Sequence, residues 1–186
     1  TDSYRTYTNL DNLRPTKTES YEVGAKWDIT PDFNTSLAVF RATQNNIFQT
    51  DPTNNLIGVL AGEQRSKGVT WSFAGNLTQS LSVMGGYAYQ DAKMIKSVMA
   101  AAPVGNRAAL TPEHSATIWM KYQINDGWYA ALGGRAESVR YATTVNKTKL
   151  PGYAVLNAAI GYQQEKYDII LNLNNILDRT YFISAH

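Results

Sequence analysis

The amino-acid sequence predicts an all-β chain: an antiparallel transmembrane β-barrel segment of about eight strands, forming an incomplete part of a wider barrel. Three observations predict it. Apolar and polar side chains alternate over stretches often longer than the roughly five or six residues usual in soluble strands. The connections between these stretches alternate between tight and long. One face of nearly every stretch stays free of charge for about ten residues from its tight turn, the length a tilted strand needs to cross hydrocarbon.

The stretches run over 16–29, 35–48, 62–76, 81–91, 113–124, 128–141, 150–162 and 167–181. In the first, Tyr21, Val23, Ala25, Trp27 and Ile29 share a face, opposite Lys26 and Asp28. In the second the register stays open: Leu37 and Val39 share a face with Arg41, whereas Ala38, Phe40 and Ala42 make a smaller charge-free face. The third and fourth present Val69, Trp71 and Phe73, then Leu81, Val83, Gly85, Tyr87 and Tyr89. Residues 69–90 carry no charge at all. The fifth and sixth present Ala116, Ile118, Met120 and Tyr122, then Trp128, Ala130, Leu132 and Gly134, with Lys121, Arg135 and Glu137 opposite. The seventh presents Ala154, Leu156, Ala158, Ile160 and Tyr162. The last, "YDIILNLNNILDRTYF", sets Tyr167, Ile169, Leu171 and Leu173 against Asp168, Asn172 and Asn174.

In water such a strand would turn its leucines to a core, and in a membrane barrel it would turn them to lipid. The opposite face decides in favour of lipid. It is mostly Ser, Thr, Asn, Ala and Gly, where a soluble sandwich would crowd Lys and Glu. The rings sit at two levels, with Trp27, Tyr122, Trp128, Tyr162 and Tyr167 near the turns and Tyr21, Tyr87 and Tyr89 near the loops. Amphipathic rings favour the two membrane interfaces. Tight turns at 30–34, 77–80, 125–127 and 163–166 alternate with longer segments at about 45–61, up to Glu113, and at 142–149. The "MIKSVMAAA" piece reads as irregular loop rather than helix. With short turns periplasmic, both chain ends fall on the outer side, so an internal piece lacking a closing strand is expected. The many small inward residues, among them Gly24, Ser72, Gly86 and Ala131, suit a wide wall better than a narrow eight-stranded cylinder. An open sheet with no ladder between 16–29 and 167–181 is therefore expected.

Composition bounds the chemistry. The 186 residues carry a net charge of +2 and no cysteine, which gives no argument for nucleic acid and excludes disulfides and thiolate sites. No apolar run of about eighteen residues is present to make a transmembrane helix. The opening "TDSYRTYTNLDNL" does not read as a signal peptide.

Several segments resemble TonB-dependent outer-membrane receptors. "LRPTKTESYEVGAKW" (13–27) is similar to that family's Leu-x-Pro-Glu-x-x-x-x-Tyr-Glu-x-Gly-x-Lys strand, with Thr16 in place of the acidic residue. "GEQRSKGVTWSFAGNLT" (62–78) is similar to its Gln-Arg-Ser-Lys-Gly-Val-Glu strand, with Thr70 for Glu. "LTPEHSATIWMKY" (110–122), "LPGYAVLNAAIGY" (150–162) and "LNLNNILDRTYF" (171–182) match later strands in the family's order. The "GNRAALTPEHS" and "SAH" wording is most similar to catecholate-type siderophore receptors.

The resemblance implies a barrel of about twenty-two strands closed by a plug domain, in the outer membrane of a Gram-negative bacterium. Such a receptor imports ferric siderophores with energy from the TonB complex. Residues 1–186 would form a single partial barrel domain, without the plug or the closing strand. The implied partners are the siderophore, the TonB complex through the missing N-terminal region, and outer-membrane lipid. No cofactor is expected beyond the transported ferric complex.

An anionic, aromatic iron complex suits cations and tyrosines at the outer mouth, which makes Arg107, Tyr141 and Lys149 the candidate ligand-binding residues. Tyr141 continues the parity of Arg135 and Glu137, a pair that reads as a lumen hydrogen-bond network. No catalytic or metal site is expected. His114 beside Ser115 imitates part of a hydrolase triad but reads as a loop-edge histidine, and His186 is the only other histidine. Asn34, Asn76 and Asn146 head chance glycosylation sequons, and Gly85-Gly86 and Gly133-Gly134 read as packing glycines. The rival classes are a diffusion porin and a soluble β-sandwich binding module.

Overall fold

The computed structural model describes residues 14–54 and 56–184. The opening segment 1–13 and His186 lie outside the described residues. The chain forms β1 (Lys17–Thr30), β2 (Phe33–Thr50), β3 (Gly58–Asn76), β4 (Leu81–Lys96), β5 (His114–Gln123) and β6 (Trp128–Glu137). A short hairpin, β7 (Arg140–Tyr141) and β8 (Lys149–Leu150), precedes β9 (Tyr153–Gln164) and β10 (Tyr167–Leu173). The eight long strands make one antiparallel sheet in the order β1-β2-β3-β4-β5-β6-β9-β10. β1 and β10 occupy its two edges and do not pair among the described residues, so the sheet is open, as expected.

Local chemistry explains the turns. Thr78 Oγ1 accepts from Ser80 N (3.2 Å) and Leu81 N (3.0 Å), closing the turn between β3 and β4. Asn125 Oδ1 does the same for Gly127 N and Trp128 N between β5 and β6. Between β2 and β3, Asp51 Oδ1 accepts from the Thr53 hydroxyl and amide, which holds its carboxyl below the usual range. That connection is shorter than expected because both flanking strands continue past the apolar band. The segment 97–113 is an irregular loop without helix.

Register resolves the second strand. Val23 pairs with Val39 and Val39 with Val69; Ala25 pairs with Leu37 and Leu37 with Trp71. Directly opposed residues project to the same face, so Leu37, Val39 and Arg41 belong to the apolar face and Ala38, Phe40 and Ala42 to the other. The same face continues through Tyr87 and Ala116, Met120 and Leu132, Ala130 and Ile160, and Ile160 and Leu171.

This face is uncovered. Val23 is 75% exposed, Leu171 59% and Leu37 42%, and among the described residues no large side chain is fully buried. A sandwich would bury one face of each sheet against the other; this sheet has a continuous apolar face with nothing packed on it. Near the turns, Trp128 and Tyr162 lie 4.9 Å apart between centroids and Tyr162 and Tyr167 6.3 Å.

The opposite face is polar and thin. Two rings lie flat across it onto glycines. A Cβ at Gly133 would come within 1.8 Å of the Trp119 ring, and one at Gly161 within 2.1 Å of the Tyr129 ring. Gly133 is therefore a packing glycine, as its place in the strand implied.

Two expected boundaries move. β10 ends at Leu173 rather than near 181. Asn175 and Asp178 adopt left-handed φ of 52° and 48°, and the Asn175 side chain bonds the Arg179 backbone in both directions, so the chain turns back over the polar face. The sixth stretch breaks at Ser138–Val139 instead of running to 141.

Candidate functional site

Two clusters form at the loop end of the sheet. The first joins the two long loops. The segment after β4 folds back along it: Met94 N donates to Asn106 O (2.9 Å), Ala108 N to Ala92 O (2.9 Å), and Arg107 lies opposite Lys93 in an isolated bridge. Asparagines then stitch it to the β7–β8 hairpin. Asn106 Nδ2 donates to Thr144 O (2.9 Å), and Asn146 Oδ1 accepts from Arg107 N (2.7 Å) while its Nδ2 donates to Arg107 O (2.9 Å). Asn146 reaches these partners from a left-handed φ of 60°, which gives this sequon asparagine a structural task.

The consequence is convergence. The Arg107 guanidinium and the Lys149 ammonium each lie 5.8 Å from the centre of the Tyr141 ring. All three residues singled out in the sequence thus meet on one side chain, at cation–π distance. Arg107 is further held by Glu113 at 3.1 Å, whereas Lys149 is exposed.

The second cluster lies on the polar face. Glu137, 8% exposed, is bonded by both Arg135 and Arg140. Arg140 is also buried; it donates to Phe182 O (2.8 Å) and stands 5.6 Å from the Tyr153 ring, which stacks on Tyr181 at 4.5 Å. Arg135 is half exposed and borders a cavity of about 250 Å³ with Tyr153, Asn157, Asn174, Asn175 and Tyr181. This surface offers a cation, amides and phenols together.

The Arg135–Glu137 network was legible in the sequence, but its third member was not. Parity over an unbroken strand aligns Tyr141 with Glu137; the break at Ser138–Val139 instead delivers Arg140 to that carboxylate. Ser138 leaves the ladder because its amide donates to His114 O (2.9 Å) and its hydroxyl accepts from His114 N (3.0 Å). No signal in the sequence reported the arrival of Tyr181 and Phe182, which depends on the turn at 174–179.

His114 packs with rings at the loop-proximal level of the apolar face. Its Nδ1 lies 2.6 Å from Tyr87 Oη and its ring 5.2 Å from the Tyr89 ring. Ser115, the next residue in the strand, projects to the other face, so the two do not form a nucleophile–base pair. Among the described residues no group of three or more His, Cys, Asp or Glu side chains is placed to hold a metal.

Residues 1–176 match the family described as TonB dependent receptor-like, beta-barrel. The chain is 32% identical over 182 residues to the ferrichrome outer membrane transporter/phage receptor of Escherichia coli K12, covering 92% of the chain and 24% of that protein. It is 29% identical over 187 residues to the catecholate siderophore receptor Fiu of the same strain, covering 96% of the chain and 24% of the receptor. The closed form of Fiu superposes with a TM-score of 0.79 at 28% identity, over 98% of this chain and 26% of that one. The siderophore receptor PiuA from Acinetobacter baumannii superposes with a TM-score of 0.78 at 27% identity, over 91% and 25%. The chain therefore spans about a quarter of the length of the curated relatives it matches.

Proposed function

Since the chain belongs to the TonB-dependent receptor β-barrel family, we propose that it forms part of the wall of a Gram-negative outer-membrane receptor that imports a ferric siderophore. The observation that carries this reading is the two-faced sheet of a family barrel: one face apolar and largely exposed, the other mostly polar, with no second sheet packed on either among the described residues. The first suits lipid and the second a wet lumen. Further strands would pair with the free edges of β1 and β10, since hydrocarbon does not tolerate unpaired backbone groups. The chain acts as one partial barrel domain, with the plug and the contact to the TonB complex supplied by other parts of the receptor.

In this reading the loop-end clusters recognise the ligand without chemistry on it. A ferric siderophore with ionised oxygen ligands is anionic, and the Arg107–Tyr141–Lys149 cluster offers it two cations on an aromatic face. The Arg135 cavity on the lumen side offers a third cation beside phenols and amides, a surface suited to a catecholate. Arg140 is withdrawn from such contact by Glu137 and acts by positioning.

The test uses the full receptor in iron-starved cells and uptake of radiolabelled ferric catecholate complexes. Uptake is expected to cease when the proton-motive force is collapsed. An Arg107→Ser/Lys149→Ser double variant is expected to weaken uptake in a salt-dependent way, because these charges steer and hold an anion. Unchanged uptake in that variant removes both residues as ligand contacts. Uptake that persists without the proton-motive force overturns the energised-transport reading.

A further inference from the structure

The Tyr141 cluster has a fourth member, and its charge opposes an anion. Arg107 and Lys149 each stand 5.8 Å from the centre of the ring, but the Glu113 carboxylate lies 3.1 Å from the Arg107 guanidinium. Both side chains of that pair reach solvent, Arg107 at 21% and Glu113 at 36% exposure. Lys149 is exposed as well, and among the described residues it forms no ion pair. Two cations less one carboxylate leave a single uncompensated positive charge beside the ring. Lys93, which opposes Arg107 across the isolated bridge, adds little because Asp91 holds it at 3.0 Å.

The fold sets Glu113 beside Arg107 independently of any ligand. Gln90 N donates to Glu113 O at 2.9 Å and Gln90 Nε2 to Pro112 O at 3.4 Å, so β4 holds the entry to β5. Three residues earlier, Leu110 adopts a left-handed φ of 55°, and its amide donates to Tyr141 O at 2.7 Å. A bulky residue keeps that conformation only where its surroundings hold it there. The segment 110–113 is thus tied at one end to Tyr141 itself and at the other to β4.

An anion that reaches Arg107 also approaches Glu113, and the repulsion grows in proportion to the charge of the anion. An uncharged complex feels none of it. Packing and hydrogen bonds to the ligand groups do not scale in this way. A carboxylate at this place therefore separates complexes that share their ligand groups but differ in net charge.

We infer that Glu113 is a specificity-determining residue, favouring ferric complexes of low negative charge over trianionic ones at the Arg107–Tyr141–Lys149 cluster. This role depends on that cluster being a ligand site, as proposed above.

The test is equilibrium binding of radiolabelled iron(III) complexes to the purified full receptor at low salt. The probes share one scaffold and carry three catecholates, two catecholates with one hydroxamate, one catecholate with two hydroxamates, or three hydroxamates. Their net charge runs from trianionic to uncharged. In Glu113→Gln, affinity is expected to rise roughly threefold per unit of ligand charge, for charges about 6 Å apart in water. The trianion then gains about thirtyfold and the monoanion about threefold, while the uncharged complex gains nothing. Salt at about 0.5 M is expected to flatten these gains by screening. Glu113→Ala removes the same charge and is expected to give the same gradient. An equal shift for every complex would show a structural role and overturn the inference, as would no shift for any, or a gradient confined to one of the two variants. Arg107→Ser/Lys149→Ser tests the premise separately. If that variant binds the whole series as the wild type does, the cluster is not the ligand site and both readings fall. If it weakens binding of the anions while Glu113→Gln acts uniformly, only the role of Glu113 falls.

Discussion

Leu171 and Asn172 are adjacent in β10, equally deep and on opposite faces, and substituting each by arginine measures what each face touches. Leu171 is 59% exposed, so in water an arginine there would change stability by no more than about 0.5 kcal/mol. In hydrocarbon the outcome is different. Leu171 lies four residues from Tyr167 at the turn-end girdle, about 13 Å along the strand. With a tilt of about 40° this gives a depth of roughly 10 Å in an apolar band about 25 Å tall, close to its midplane. Leu171→Arg should therefore cost about 2–4 kcal/mol. Asn172 opposes Ala159 on the polar face, and Asn172→Arg should cost less than about 1 kcal/mol. The assay is reversible denaturant unfolding of the full receptor from phospholipid vesicles, comparing midpoints at constant slope. Equal costs for the two variants, or a cost below about 0.5 kcal/mol for Leu171→Arg, would refute the assignment of the apolar face to lipid.

The polar face makes two further predictions. Gly133→Ala puts a methyl group into the Trp119 ring, which must lift off the sheet; a loss of about 1–3 kcal/mol and a shifted tryptophan emission are expected, and unchanged emission would show that the ring does not rest there. Glu137→Gln leaves the Arg140 guanidinium, whose side chain is 4% exposed, without its counter-charge. This should cost about 3 kcal/mol, and Arg140→Leu in the same background should recover part of it. Additive losses in that double variant would show that the two residues are not coupled.

What could be read from the sequence was whatever depends on neighbours a few residues away. Side chains in a strand alternate with a period of two whatever the strand pairs with, so the apolar faces of β1, β3, β5 and β9 and the position of the tight turns were legible in composition and spacing alone. The charge-free length of those faces carried the distinction between lipid and a core. Pairing decided the rest. In β2 both faces were plausible, because Arg41 made its larger apolar face look wrong; Val23 and Val69 on either side leave only one register. Alternation also failed where the ladder stopped. At Ser138–Val139 the strand breaks, with Ser138 bonded to His114 through its amide and its hydroxyl; the period is lost, and Arg140 rather than Tyr141 reaches Glu137. Arg107, Tyr141 and Lys149 could be named from their charge and aromaticity, but their meeting depends on asparagine bonds between two loops distant in sequence. A local period cannot encode such contacts: closing a long loop is decided by hydrogen bonds formed only once both loops are held by the same sheet.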